Sequence, residues 1–571
     1  MSMTKAAISV FDLPQERKAR GAFFTPPAIA EFLTRQAIGG RPNAKVLDPT
    51  CGDGAFLIAA AQELRTLGRP NTQIGKQLFG VDIHSPSLDD ALTLLNSEDF
   101  DATLLERDFF ELEPPGDLLA TLPAFDAVIG NPPFVRFQQH SGSARTASAS
   151  AALRQGVRLS GLASSWAALL VHAGGFLKPD GRLAMVLPAE LLTVGYAEPV
   201  RLWLRTRFAS VKLVLFERLQ FDGELENVVL LIAQGSGGCD AFSIYYVHDS
   251  DDLKRIQPFD EFAVTLSSGG KWTDLLLSIP ERQAFKSIIK IGFSALGTYG
   301  APELGTVTGA NQYFTLSEST RTRYQLDESR DVIPISPPGT RHLHGVSFTQ
   351  ADWRRLRDNG EAVWMLCPEP DGTITSGLTR YLKAGEALGV PEAYKCRVRS
   401  IWYRPPAVSP PDLFFTYMSH RYPRLIANKA KVTFVNSMHG LRLAKDAPKI
   451  SRDALPLLSL NSVTMLGAEL YGRSYGGGIL KMEPREAASL PVPSPEVLGR
   501  AWEILRKDRA ILNRQLCNGE WSKVVDRVDD VLLGNVLALK PDEIKQIKVA
   551  GQKLRARRLV RSPISPIVNK S

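Results

Sequence analysis

An open α/β sheet followed by a second, mixed α+β domain is the fold this sequence predicts, and three observations predict it. Short apolar, β-branched runs alternate with helix-like stretches over residues 45–235, the pattern of βαβ units and a largely parallel sheet. That rhythm stops after Gly235-Ser236-Gly237-Gly238 and gives way to a stretch rich in proline, aromatics and arginine. At 571 residues the chain also exceeds what one hydrophobic core usually supports, so two or three domains are expected.

Seven strands are placed near 45–48, 77–82, 102–106, 124–130, 181–187, 211–217 and 226–233. Ala55 to Leu67 forms an amphipathic helix after the first, and Gly161 to Phe176 fills the same role before the fifth. The last two strands are joined by Leu219 to Asn227, too few residues for a helical crossover, which predicts an antiparallel hairpin. Residues 138–160, dominated by Ser, Ala and Gly, are expected to stay unpacked and mobile. The resulting division is a sheet domain over 1–240, a connecting segment over 241–300, a second domain over 301–500 and a basic helical segment over 501–571.

Composition bounds the function. Hydrophobic content of 44% and charged content of 22% are globular values. The longest nearly apolar run, Trp166 to Leu177, is too short for a bilayer and contains His172, Gly174 and Gly175. No signal-peptide pattern opens the sequence, so no membrane or secretory role is expected. Five scattered cysteines without a CxxC fit a reducing cytoplasm and predict no structural zinc or other metal. Residues 1–240 hold 22 Lys+Arg against 26 Asp+Glu, whereas 241–571 hold 46 against 34. The basic excess of the second half points to a polyanionic partner.

Ligands of an open α/β sheet sit beyond the carboxyl ends of its strands, so the residues following each strand matter most. After the first comes Asp48-Pro49-Thr50-Cys51-Gly52-Asp53-Gly54, a glycine-bearing turn that lets a ligand approach the backbone. After the second comes Asp82-Ile83, whose acid suits two ribose hydroxyls. After the third comes Asp108-Phe109, an acceptor for an adenine amino group beside a ring for its face. This ordered set fits a nucleoside with a small charged tail. Phe56 and Leu57 stand where a dinucleotide site would place its third glycine.

The fourth strand runs into Asn131-Pro132-Pro133-Phe134. Two prolines fix φ and donate no hydrogen bonds, which leaves a rigid segment with acceptors to spare. Asn131 Oδ1 and the Pro132 carbonyl can accept from a planar NH2 group and aim its nitrogen at a methyl sulfonium, while Phe134 stacks on the ring that bears the amine. Such a site works by orientation and electrostatic preorganisation rather than by a strong base.

Over residues 20–235 these motifs, in this order, resemble the gamma-class amino-methyltransferases of DNA. The resemblance implies a seven-stranded, Rossmann-like class I methyltransferase sheet using S-adenosyl-L-methionine. Phe24, Thr25 and Pro26 resemble the N-terminal motif that closes over the methionine part of the cofactor. Asp48, Pro49, Cys51, Gly52 and Gly54 resemble the first motif, Asp82 and Ile83 the ribose position, and Asp108 and Phe109 the adenine position. Asn131, Pro132, Pro133 and Phe134 resemble the catalytic motif, and Phe221 the aromatic that stacks on the other face of a flipped base. Relatives with such sites methylate DNA adenine, DNA cytosine, RNA adenine or protein glutamine, and the motif alone leaves these open. The flipped base carries a cost of a few kcal/mol for leaving the duplex.

The second half favours DNA. Gly305 to Phe314, Asn436 to Gly440, Leu480 to Pro484 and Leu490 to Pro493 resemble landmarks of target-recognition domains in restriction-modification adenine methyltransferases. Arg397, Arg399, Arg404, Arg421 and Arg424 lie between them among Trp402, Tyr403 and Tyr417, the mixture expected to read guanine edges or phosphates. The 540–571 segment, with Arg555, Arg557 and Arg558, is read either as a phosphate contact or as a frayed tail. With no nuclease or ATPase pattern in the sequence, the resemblance implies a type II modification enzyme that methylates N6 of adenine in double-stranded DNA and pairs with a separate restriction endonuclease. An RNA adenine or protein glutamine N-methyltransferase is the alternative.

Overall fold

The computed structural model describes residues 25–134, 142–161, 163–216, 228–255, 262–265, 271–369, 374–475 and 478–560, and the chain divides into two compact units, the first ending at Leu276 and the second beginning at Leu277. In the first unit β1 (Val46–Asp48), β2 (Leu78–Asp82), β3 (Thr103–Glu106), β4 (Phe125–Gly130), β5 (Leu177–Pro188), β6 (Ser210–Phe216), β7 (Val228–Gln234), β8 (Ala241–Val247) and β9 (Phe262–Thr265) build one sheet. Its order is β3-β2-β1-β4-β5-β7-β6-β8-β9. The first five strands pair in parallel. β7 runs antiparallel to both β5 and β6, so the predicted hairpin is present.

Side chains on a strand alternate between the two faces, and here each face has its own core. Leu47, Val128, Leu183, Met185 and Leu187 enter one core, while Val46, Ala127, Ile129, Ala184 and Val186 enter the other. The helices are α1 (Pro27–Ile38), α2 (Ala55–Thr66), α3 (Ser85–Ser97), α4 (Gly142–Arg154), α5 (Ser165–Gly174) and α6 (Glu198–Arg207). Pro27 starts α1 at a position whose N–H needs no partner, and Gly39, in the left-handed conformation, ends it. Every residue of α5 is buried, which explains the long apolar run as a core helix. Among the described residues no helix is long and apolar enough to cross a membrane.

Three expectations are corrected. The Ser/Ala/Gly stretch expected to be unpacked contains α4: alanine favours helix, and Ala151 and Ala152 are fully buried in the core shared with α5. Arg154 at its end pairs with Glu113 at 2.7 Å. Second, the glycine run at 235–238 is a turn inside the unit rather than a linker, with Gly235, Gly237 and Gly238 at φ of 70°, 111° and 84°. It leads into β8, which pairs in parallel with β6 because Phe242 and Ile244 share one buried face. Residues assigned to a connecting segment thus extend the sheet, and Trp272 still belongs to the first unit, its N–H bonded to Leu192 O at 2.7 Å.

The third correction concerns the C-terminus. In the second unit α7 (Ile279–Gly292) opens with a capping box of Ser278 and Glu281. The strands form a five-stranded sheet (β11-β19-β16-β18-β14), two three-stranded sheets (β12-β15-β13 and β17-β21-β20) and a β10-β22 pair. Their ranges are β10 (Phe293–Ala295), β11 (Pro302–Leu304), β12 (Thr315–Ser317), β13 (Val332–Pro334), β14 (Ser347–Phe348), β15 (Ala362–Leu366), β16 (Leu413–Phe415), β17 (Met418–Ser419), β18 (Leu425–Asn428), β19 (His439–Leu441), β20 (Arg473–Tyr475), β21 (Ile479–Lys481) and β22 (Pro491–Pro493). The helices α8 (Ser451–Leu458), α9 (Ser462–Tyr471), α10 (Pro495–Leu505), α11 (Arg509–Cys517), α12 (Trp521–Asp529) and α13 (Pro541–Val560) follow. Arg558, read as a phosphate contact or part of a frayed tail, is 4% exposed and serves neither role. Its guanidinium makes two hydrogen bonds to Glu469, at 2.7 and 2.9 Å, and others to the carbonyls of His420, Arg421 and Gly478. A buried cation so fully partnered fixes α13 against α9 and the 420–421 loop.

Candidate active site

The strand order reverses between β1 and β4, so the loops leaving these two strands flank the crevice where ligands of such sheets bind. Asp48 ends β1 at 1% exposure, with Oδ1 accepting the Thr50 N–H at 3.1 Å. Burial pushes its carboxyl up to about 8, with Asp82 and Asp53 adding to the shift and the Thr50 bond opposing it. Gly130 ends β4 at φ 150°, and a Cβ there would lie 2.8 Å from Asp48 Oδ1. The two exits meet only because residue 130 has no side chain. Sequence reasoning had Gly130 in view as the residue before the tetrapeptide but gave it no role.

The turn after β1 is tied to β2: Cys51 N–H donates to Val81 O and Gly52 N–H to Asp82 Oδ2, each at 2.9 Å. Gly54 has φ 86°, and a Cβ there would sit 3.0 Å from that of Ala91 on α3. Pro49 is buried, and burial raises the Cys51 thiol so that it stays protonated. Asp82 also accepts the His84 N–H at 2.9 Å. A carboxylate has about four acceptor sites, so two backbone bonds fix Asp82 while leaving capacity for hydroxyls. Ile83 beside it is 70% exposed, an apolar side chain standing free at the exit of β2.

Asp108 accepts the Phe110 N–H at 3.0 Å. Phe109, expected to offer its face to a ligand, is instead 3% exposed and packs on Phe176 and edge-on against His172 at centroid distances of 4.9 and 5.0 Å. The core claims this ring because α5 brings His172 beneath the loop. His172 Nε2 lies 3.2 and 3.1 Å from the carbonyls of Phe109 and Leu112. Burial holds this imidazole down to about 4, so it is neutral and serves to anchor the loop. In the sequence His172 is visible only as a polar break in an apolar run.

Asn131 is half-buried and donates from Nδ2 to Thr25 Oγ1 at 3.2 Å, joining two motifs 106 residues apart in sequence. Its Oδ1 is buried and has no hydrogen-bond partner among the described residues. An unpaired buried acceptor costs about 1–3 kcal/mol, a strain that an incoming N–H donor relieves. Pro132 is buried, and the Pro133 carbonyl accepts from Ser165 Oγ at 2.5 Å. Phe134 packs partly against both cores. The start of α5 is held by a cluster missed in the sequence: Trp166 Nε1 donates to Tyr196 Oη at 3.2 Å, and Tyr196 in turn donates to Glu190. Pro26 O begins α1 by accepting from Ile29 at 2.9 Å. Phe24 and Phe221 lie outside the described residues. Among the described residues no group of His, Cys, Asp and Glu could hold a metal.

In the second unit the landmarks converge. Asn311 Nδ2 donates to Asn436 Oδ1 at 3.4 Å, Tyr417 stacks on His439 at 4.1 Å, and Met482 N–H donates to Tyr417 O at 2.9 Å. The arginines divide. Arg399 donates to Val307 O at 2.5 Å and lies over Phe314, Arg404 donates to Glu369 O at 2.9 Å, and Arg424 binds the carbonyls of Leu343 and His344. These three are engaged with their own unit, whereas Arg397 and Arg421 are exposed.

Comparison with known proteins adds independent weight. Residues 11–201 match the N-6 DNA Methylase family, and residues 269–533 match the family described as type II methyltransferase M.Eco57I, C-terminal domain. The type II methyltransferase M.AccI of Acinetobacter calcoaceticus is 21% identical, covering 91% of this chain and 94% of the relative. The type II methyltransferase M.XamI of Xanthomonas campestris pv. amaranthicola is 25% identical, covering 87% and 89%. Among solved structures, the type IIL restriction-modification enzyme MmeI, in complex with DNA, shares the fold at a TM-score of 0.50 and 14% identity, covering 96% of this chain and 80% of that one. These matches agree with the gamma-class resemblance that the motifs carry.

Proposed function

We propose, for a chain that is a DNA N6-methyltransferase of the restriction-modification kind, that S-adenosylmethionine is the methyl donor and N6 of an adenine flipped out of duplex DNA the acceptor. The observation that carries this reading is Asn131 Oδ1, a buried acceptor without a partner among the described residues at the end of β4. The donor set around it suits the cofactor. Asp48 is a buried acid whose charged form needs a neighbouring cation, Asp82 has acceptor capacity for ribose hydroxyls, and Asp108 has it for an adenine amine. Ile83 offers the exposed apolar surface that Phe109 does not. When bound, S-adenosylmethionine supplies an electrophilic methyl group on a positively charged sulfur.

This chain's residues do the rest. Asn131 Oδ1, with the Pro132 carbonyl, accepts hydrogen bonds from the exocyclic amine and turns its lone pair out of conjugation. Thr25 fixes the Asn131 amide so that its oxygen faces the amine. Ser165 holds the Pro133 carbonyl, which keeps the tetrapeptide rigid, and Phe134 stacks on the base. The second unit, with residues 301–500 as target-recognition domain, reads the DNA, and Phe221 is assigned the opposite face of the flipped base. A separate endonuclease is the expected functional partner.

Incubation with tritiated cofactor and duplex DNA, RNA or protein tests the reading. Label is expected in N6-methyladenine of duplex DNA. Label confined to RNA or protein would replace it with the alternative of an RNA adenine or protein glutamine N-methyltransferase.

A further inference from the structure

The second unit contains a cavity of about 340 Å³ between the 421–422 loop and helices α9, α12 and α13, walled by Arg421, Tyr422, Met465, Trp521, Lys548 and Arg555. Of the arginines assigned above, Arg421 lines it and Arg424 lies over its Trp521 wall at 5.0 Å from the ring centroid, and the preceding reading gives the cavity no task. Asp526 is the only carboxylate among its lining residues and is taken by Lys548. Arg421 and Arg555 have no carboxylate partner among the described residues; their guanidinium groups lie instead over Trp521 and Tyr422, at 5.3 and 5.4 Å from the ring centroids. Arg555 Nε is buried with no hydrogen-bond partner among the described residues.

An excess of cations over carboxylates selects an anion, and an unsatisfied N–H inside the wall selects one that accepts hydrogen bonds. The size excludes a bare phosphate as the whole occupant, since the volume falls within the roughly 300–1000 Å³ of organic-ligand sites. Guanidinium planes backed by rings, together with Met465, match a flat, weakly polar body, because arginine planes and aromatic rings both stack on nucleobases. We propose that this cavity binds one nucleotide unit, its phosphate held by Arg421 and Arg555 and its base lying against the Trp521 side. The same chemistry arises in a free nucleotide and in a nucleotide of a DNA strand.

The test titrates the full chain, with the cofactor site saturated by S-adenosylhomocysteine, against dCMP, dAMP, deoxycytidine and inorganic phosphate, following binding by calorimetry. One nucleotide per chain is expected, with deoxycytidine and phosphate weaker by at least about tenfold. Arg555→Gln and Arg421→Gln should each weaken dCMP by roughly tenfold while circular dichroism and S-adenosylhomocysteine affinity stay unchanged. Displacement of dCMP by a short duplex would assign the site to a strand nucleotide, and simultaneous binding would assign it to a free one; both sustain the proposal. Absence of nucleotide binding at millimolar concentration, phosphate binding as tightly as dCMP, or unaltered binding by folded variants would overturn it.

Discussion

The exits of β1 and β4 in the first unit and the arginine-rich stretch of the second were both marked as functional by sequence, and the structure treats them differently. At the first, Asn131 keeps a buried acceptor open and Asp48 keeps a buried acid without a counter-charge among the described residues. At the second, Arg399, Arg404 and Arg424 each donate to a backbone carbonyl of their own unit. A regular sheet satisfies its own backbone and leaves the residues after its strands free for ligands. An irregular domain has loop carbonyls to satisfy, and arginine, with five donors on a long arm, is the side chain that reaches them.

The largest test of that contrast is Arg558. Arg558→Met leaves Glu469 buried and unpaired, so the stability of the second unit should fall by about 3–5 kcal/mol, with most of it recovered in the Arg558→Met/Glu469→Leu double variant. Denaturant unfolding checks both, and a single variant as stable as the parent would show that this arginine is not structural. Asn131→Ala should do the reverse. Its turnover should drop on the order of 10²–10³-fold while S-adenosylhomocysteine affinity and melting temperature hold. Single-turnover methylation measures it, and retention of near-parental turnover would refute the role given to Oδ1.

Asp48 gives the next effect, and it has a pH signature. Its folded carboxyl, raised from the ordinary 3.8 to about 8, binds a proton that the unfolded chain has already released. Its contribution is full below the ordinary carboxylate value and is lost as pH rises through the folded value. Between about pH 6 and 8 the ligand-free protein should therefore lose about 2–3 kcal/mol that Asp48→Asn does not lose. Thermal melts across that range decide it, and a parallel course of the two proteins would count against an uncompensated Asp48. Gly130→Ala, with a Cβ 2.8 Å from Asp48 Oδ1, should cost about 1–3 kcal/mol and weaken cofactor binding. The smallest effect separates two neighbours. Arg399→Ala should lower the melting temperature, whereas the exposed Arg397→Ala should leave it unchanged and at most flatten the salt dependence of DNA binding.

The legible parts of the molecule were those written in local periodicity. Alternating apolar residues located β1 to β7, the short link predicted the antiparallel β6–β7 pair, and two prolines after Ile129-Gly130 marked where a strand must stop. β8 was missed because a glycine run looks the same whether it links domains or turns a chain back into its own sheet. α4 was missed because an alanine-rich helix carries little apolar contrast until a neighbouring helix buries one side of it.

What the sequence determined by itself is the order of chemical groups along the sheet: a glycine turn, two acids, and Asn131-Pro132-Pro133-Phe134, each fixed to a strand end by the period of two. Only the tertiary structure decided which of them remain available. Phe109 was drawn into the core by His172, Asn131 Nδ2 was taken by Thr25 while Oδ1 was left open, and Arg558 was buried on Glu469. The reason is physical: a side chain's type sets what it can bond, whereas the bonds it has left depend on neighbours tens to hundreds of residues away.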